Sequence, residues 1–241
     1  MITTLSAHAP SPEPDRRALL VQRAFSLTGI VPLGAFLLLH VAINARALHG
    51  HAAFVDAAHA VRQIPALAIV EAAVVYVPLA IHGAIGAWMV ATRRNLARPS
   101  PYPRGVGITV RATGIVVAAF LVMHLPELRF YSPRVHLEGG ELATRLDADL
   151  SSLSFGVPWR GLAYLLGTAC ATFHFAAGCW GAFAMTERAR ASTRRRRWAA
   201  WVLTALGALM WLTLADVVVF RATGAPLFGE SPEPSSTQPC P

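Results

Sequence analysis

Lysine is absent from this 241-residue sequence, and charge of either sign is scarce, with 14% of residues charged. A water-soluble domain carries about a quarter. That shortfall, with 54% hydrophobic residues and a mean hydropathy of +0.47, excludes an ordinary soluble globule. Cysteine is also sparse: Cys170, Cys179 and Cys240 form no CxxC, which leaves no support for a zinc site, an iron–sulfur cluster or a c-type haem attachment. Cys170 and Cys179 lie too far apart along one apolar run for an intrahelical disulfide. No GxGxxG turn opens a βαβ unit, and no soluble stretch is long enough to hold a substrate site. The first twenty residues contain neither an apolar h-region nor a small-residue cleavage site, so the apolar run that follows reads as a retained span rather than a signal peptide.

What the sequence does contain is long apolar runs separated by bursts of arginine. About 20 apolar residues cross a bilayer, and five segments qualify, approximately 24–47, 66–92, 106–127, 160–186 and 198–220. The expected fold is therefore an all-α integral membrane protein of five transmembrane helices. It has an N-terminal tail over 1–22, a membrane domain over 23–221, and a disordered proline- and serine-rich tail over 222–241. All 21 basic residues are arginine. Arg16, Arg17 and Arg23 precede the first span, Arg93, Arg94, Arg98 and Arg104 fill the second connection, and Arg188, Arg190 and Arg194 to Arg197 fill the fourth. The first connection has only Arg46 and Arg62, and the third mixes arginine with Glu127, Glu138, Glu141, Asp147 and Asp149. Short arginine-rich segments stay in the cytoplasm, which predicts a multi-pass membrane protein, N-terminus inside and C-terminus outside. Arginines placed as topological signals on apolar spans do not make the solvated basic face that nucleic acid needs. No pair of segments stands out as an internal or inverted repeat, which gives no support to a transporter.

Histidine placement carries the chemistry. His40, His82, His124 and His174 lie one in each of the first four spans, and the fifth has none. An ionisable residue inside a membrane points to function, and one per helix in four helices is hard to ascribe to separate interhelical hydrogen bonds. The helix rise puts His40 about 25 Å beyond Arg23, while His82 and His174 stand roughly 16 Å and 20 Å from the inner edge. His124, just before Glu127, also approaches the outer face. The expectation is an outer pair, His40 with His124, and an inner pair, His82 with His174. Two stacked pairs suit two haem groups, each ligated on both faces by imidazoles from different helices, an arrangement that favours electron transfer over oxygen chemistry.

Gly83, Gly86 and Gly178 would let a flat macrocycle approach the backbone, or simply let helices pack closely. Asn44, one turn beyond His40, could orient a ligand or bond to another helix, and Arg111 could pair a carboxylate of the macrocycle or snorkel. Glu71 and Asp216, near the outer helix ends, are candidates for a proton or quinone path, with His59 a further one. His49, His51 and His59 are expected in a solvated outer loop. Pro32 and Pro78 should kink the first two spans.

The segments SLTGIVPLGAFLLLHVAIN around His40, VEAAVVYVPLAIHGAIGAW around His82, RATGIVVAAFLVMHLPELR around His124 and FHFAAGCWGAF around His174 resemble the ligand-bearing segments of a known family. It is the five-helix, two-haem cytochrome b membrane-anchor subunits of succinate dehydrogenases and fumarate reductases, particularly the menaquinone-linked bacterial form. Together with the fifth span the resemblance covers most of residues 22–220, and the two tails have no counterpart in it. Phe25 stands where the family often has a polar residue. The resemblance implies two b haems, the first and third histidines holding the one farther from the soluble subunits and the second and fourth the nearer. It also implies a flavoprotein partner acting on succinate or fumarate, an iron–sulfur partner on the cytoplasmic face, and menaquinone or another quinone as membrane substrate. Two other readings stay open at this point: a di-haem cytochrome b of a hydrogenase or formate dehydrogenase, and a haem-free transporter using histidine for proton relay.

Overall fold

A computed structural model describes residues 16–92, 102–126 and 139–229. Among them the chain is helical, apart from turns and one isolated bridge between Ser154 and Val157. Five helical spans are long and apolar enough to cross a membrane, as expected, namely Leu20–His49, Leu67–Thr92, Gly105–Leu125, Trp159–Ala184 and Thr193–Thr223.

The first span comprises α1 (Arg16–Ile30), α2 (Pro32–Ala45) and a 3₁₀ turn, Arg46–His49. Helix therefore begins before the expected tail boundary at residue 22. Pro32 sits at the start of α2, where its missing N–H costs least, and Val31 and Ala35 keep the backbone ladder continuous across the joint. The second span comprises α4 (Leu67–Glu71), a π-helical turn (Ala72–Tyr76) and α5 (Val77–Thr92). Pro78 follows the wide turn directly, and the distortion falls in that turn. The third span is α6 (Arg104–Leu125), the fourth α8 (Trp159–Ala184), and the fifth α10 (Thr193–Thr223), preceded by the short α9 (Glu187–Arg190). Ser192 caps α10 by accepting from Arg195 N, and Gly224, at φ 77°, ends it with its N–H on Phe220 O.

The described parts of the connections at the end away from the arginine runs include two further helices. The 3₁₀ turn and Gly50 (φ 105°) lead into α3 (His51–Arg62), and α7 (Gly139–Ser151) occupies the later connection. His49, His51 and His59, expected in a solvated loop, are exposed but lie on helical turns, which corrects the loop alone. Phe54 on α3 is 3% exposed and packs with Ala47, Ala143, Leu146 and Val217. Arg221 at the end of α10 fastens this cap: it bonds Asp147 at 2.7 Å and Ala143 O at 3.4 Å, and its guanidinium lies 4.3 Å from the Phe54 ring centroid. A cation that is nearly buried needs such partners.

α8 is the central helix, packed chiefly on α10 and α6. Gly207 makes the α8–α10 contact close, since a Cβ there would stand 3.0 Å from Ala176 Cβ and 3.3 Å from Thr172 O. Side chains such as Ile69, Val122 and Trp201 are more than 70% exposed. An apolar surface of that extent is stable against lipid and not against water. Of the tail expected to be disordered, residues 225–229 fold back onto α10, where Asp216 accepts from the N–H groups of Leu227 and Phe228. Residues 230–241 lie outside the described residues, as do Arg93, Arg94, Arg98, Glu127, Arg129, Arg134 and Glu138.

Candidate functional site

The first four spans leave a long cavity between them, about 1480 Å³, against the roughly 300–1,000 Å³ of a pocket for one small ligand. His40, His82, His124 and His174 all line it. His40 faces His124 with ring centroids 5.9 Å apart and planes at 88°, and His82 faces His174 at 6.3 Å and 90°. The fold thus brings His40 near His124 and His82 near His174. The two pairs lie at different depths: from Thr28, beside His82, to His40 the helix rises about 18 Å, and from Thr113, beside His174, to His124 about 16 Å.

These separations have a chemical meaning. Two metal–imidazole bonds of about 2 Å each, plus about 1 Å from each ligating nitrogen to its ring centre, put the centroids ~6 Å apart on opposite sides of one metal ion. Both pairs meet that requirement. Among the described residues no cluster of three or more His, Cys, Asp or Glu could hold a bare metal ion. Two imidazoles on one metal ion would leave four positions, the number a planar tetradentate ring supplies. Gly83 and Gly178 line the cavity, with nothing within 4 Å of where a Cβ would stand; Gly86 has equally open surroundings but does not line it.

Three of the four histidines have a hydrogen-bond partner at Nδ1. A metal-binding imidazole uses one nitrogen for the metal and gives the other to a hydrogen-bond partner. His82 Nδ1 lies 3.4 Å from Phe25 O and 3.3 Å from Thr28 Oγ1, while His174 Nδ1 lies 3.0 Å from Val110 O and 3.5 Å from Thr113 Oγ1. His124 Nδ1 is 3.3 Å from the Tyr164 hydroxyl. In each case Nε2 is left for the cavity. Phe25 stacks on His82 at 4.4 Å with an interplanar angle of 8°. The apolar residue that departs from the family thus packs the imidazole with its ring and holds it with its carbonyl.

The local sequence explains why these contacts recur. Thr28-Gly29-Ile30-Val31 in the first span and Thr113-Gly114-Ile115-Val116 in the third are each followed by an Ala-Phe-Leu and, four residues after the phenylalanine, by a histidine that lines the cavity. The second and fourth spans share His-x-Ala-x-Gly-x-Trp, at His82 to Trp88 and His174 to Trp180. The expectation of no internal repeat is therefore corrected: the first four spans are two copies of one helical hairpin. In each copy the Thr-Gly step makes room for the histidine of the following span. A Cβ on Gly29 would stand 2.7 Å from His82 Cε1, and one on Gly114 would stand 3.0 Å from His174 Cε1. In each copy, too, the phenylalanine stacks on its own histidine, Phe36 on His40 at 5.5 Å and Phe120 on His124 at 5.1 Å. Each facing pair takes one histidine from each hairpin. The repeat escapes notice in the sequence because the first copy carries one extra residue between its Thr-Gly and its histidine.

The remaining predicted residues divide. Arg111 and Asn44 line the cavity, the former next to the carbonyl that holds His174. Asn44 donates to His40 O at 2.8 Å, closing on its own helix instead of crossing to another. Glu71 lines the cavity at the capped end, immediately before the π turn. Asp216 and His59 do not reach it: Asp216 is buried under residues 227 and 228, and His59 is exposed, bonded to Gln63 at 3.1 Å. Arg62, on the same helix as His59, faces the cavity in its place. Tyr102 carries no signal in the sequence that marks it as part of the site. It closes the cavity at the arginine-rich end, donating to Ala177 O at 3.0 Å, with Gly181 leaving space for its ring. Burial, and secondarily Cys179, pushes its phenol up to about 12, so it remains a donor.

Fold and site together define a helical membrane protein of five spans, four of them arranged as two hairpins that present facing histidine pairs to an internal cavity. The chain is similar to the succinate dehydrogenase cytochrome b558 subunit of Bacillus subtilis (strain 168), with 28% identity over 206 residues, 85% of this chain and 98% of that one. This similarity bears out the resemblance to the cytochrome b membrane-anchor subunits of succinate dehydrogenase. No family model and no solved structure matches the chain.

Proposed function

We propose that this chain is the membrane-anchor cytochrome b subunit of a bacterial succinate:quinone oxidoreductase, relaying electrons between an iron–sulfur subunit and the quinone pool. The observation that carries the reading is the pair of facing imidazoles at two depths, 5.9 and 6.3 Å between centroids. His40 and His124 would hold one b haem, His82 and His174 a second. When bound, such groups accept and release single electrons without an open coordination position.

The protein's part is positioning and exclusion. The carbonyls of Phe25 and Val110 and the Tyr164 hydroxyl fix ring orientation, Gly29 and Gly114 let two rings seat, and Phe36 and Phe120 wall the other two. The apolar lining keeps water from the ligands, and the hydrogen bonds at Nδ1 of His82, His124 and His174 raise the basicity of the nitrogen facing the cavity. Glu71 and Arg62, which line the cavity at the capped end, would exchange a proton with a quinone and steady its oxygen. The arginine-rich end faces the cytoplasm in this reading, with the flavoprotein and iron–sulfur partners docked there, and reporter fusions in the Arg194–Arg197 run should read as cytoplasmic. A haem-free proton relay gives no reason for perpendicular imidazole pairs at ligand spacing.

Affinity purification of the tagged chain from its native membrane tests the assignment. A flavoprotein and an iron–sulfur protein should co-purify with succinate:quinone reductase activity. Recovery of a hydrogenase or formate dehydrogenase, or of the chain alone without haem, would refute it.

A further inference from the structure

A second concavity lies on the outside of the bundle, between α8 and α10 at the arginine-rich end, with a volume of about 620 Å³. It is lined by Arg194, Arg195, Trp198 and Val202 of α10 and by Cys179 and Phe183 of α8, with Ala199 and Leu203 at its floor. Positions 194, 198 and 202, with 195 and 199 beside them, form one stripe of α10. Along that stripe the chemistry grades from two guanidiniums, through an indole, to aliphatic side chains. Trp198 is 64% exposed and Val202 59%, so the stripe faces the surroundings of the bundle rather than its core.

The four consecutive arginines are not equivalent. Arg196 turns back onto α8, its guanidinium 5.6 Å from the Trp180 ring centroid. Arg194 and Arg195 enter the groove, and neither has an ion-pair partner among the described residues. Two cations without a counter-charge, an interfacial tryptophan and an apolar wall continuing into the membrane are complementary to one amphiphile. Basic pockets between helices at a membrane edge take anionic headgroups, and tryptophan settles at headgroup level.

We propose that this groove binds one anionic phospholipid, its phosphodiester between Arg194 and Arg195 and an acyl chain against Phe183, Val202 and Leu203. The proposal does not rest on the haem reading, since nothing in the groove belongs to the histidine cavity. The groove runs along the flanks of α8 and α10, and its apolar wall continues into the apolar length of those two spans.

Native mass spectrometry of the purified full chain, titrated with dioleoyl phosphatidylglycerol or dioleoyl phosphatidylcholine, measures the first lipid bound. Each arginine near an anionic headgroup is worth about a fivefold gain, so the two together should give roughly 30-fold preference for phosphatidylglycerol. The double variant Arg194→Gln, Arg195→Gln should lower that preference to within about threefold, leaving phosphatidylcholine binding unchanged. Arg197→Gln, outside the groove, should retain it. Inorganic phosphate should not displace the bound lipid, because it gains nothing from the apolar wall. Equal affinity for the two lipids, a preference that survives the double variant, an Arg197→Gln loss as large as that of the double variant, or displacement by phosphate would each overturn the proposal.

Discussion

Replacing Gly29 by alanine separates a ligated histidine from an unligated one. The new methyl would stand 2.7 Å from His82 Cε1 and 3.0 Å from its Nδ1, against about 3.5–4.0 Å for a relaxed carbon contact. The imidazole must retreat by roughly 1 Å. An unligated ring does so cheaply, by a small rotation at the end of its side chain. A ring bonded to a metal at about 2 Å has no such freedom, so the strain falls on the bond. Overpacking of this kind costs about 1–3 kcal/mol, or roughly five- to 150-fold in the affinity for the haem proposed between His82 and His174. Gly114→Ala, at 3.0 Å from His174 Cε1, should act on the same haem more mildly. Reduced-minus-oxidised visible spectra during haem titration give the readout. Gly29→Ala should weaken the component that His82→Ala abolishes and spare the one that depends on His40. Gly86→Ala, where nothing lies within 4 Å, should change neither. Unchanged affinity in Gly29→Ala, or selective loss of the His40-dependent component, would refute the ligation geometry.

Tyr164→Phe removes the hydroxyl 3.3 Å from His124 Nδ1; the haem between His40 and His124 should bind up to about tenfold more weakly, with the other unaffected, as haem titration would show. Arg221→Ala should loosen the cap by about 1–3 kcal/mol, releasing α7 earlier in limited proteolysis; Asp147→Asn should do less, because its side chain is 45% exposed and water replaces its partner. Equal sensitivity of the two variants would contradict the view of Arg221 as the buried half of the pair.

The spans and the histidine pairs were legible in the sequence because both follow from one-dimensional quantities, apolar length and helical rise from a charged edge. The cap was not. Helix α3 is short and rich in alanine and histidine, and its burial depends on Phe54 meeting residues such as Ala143 and Val217 from distant parts of the chain. The second set of contacts was hidden for the same reason. Nothing local to Gly29 or Gly114 says that an imidazole from the next span will lie against it, and the glycines that caught attention, Gly83 and Gly178, do so only by proximity to a histidine. Asp216 and His59 illustrate the opposite error. Depth placed them correctly near the capped end, but depth says nothing about which way a side chain turns, and Arg62 rather than His59 reaches the cavity.

The central claim is that each haem is held by one histidine from each hairpin, and haem content with the spectra of four single variants tests it most directly. The purified protein should carry two low-spin b haems per chain. His40→Ala and His124→Ala should each remove one spectral component, and His82→Ala and His174→Ala the other. A single haem, or loss of the same component from His40→Ala and His82→Ala, would contradict the account.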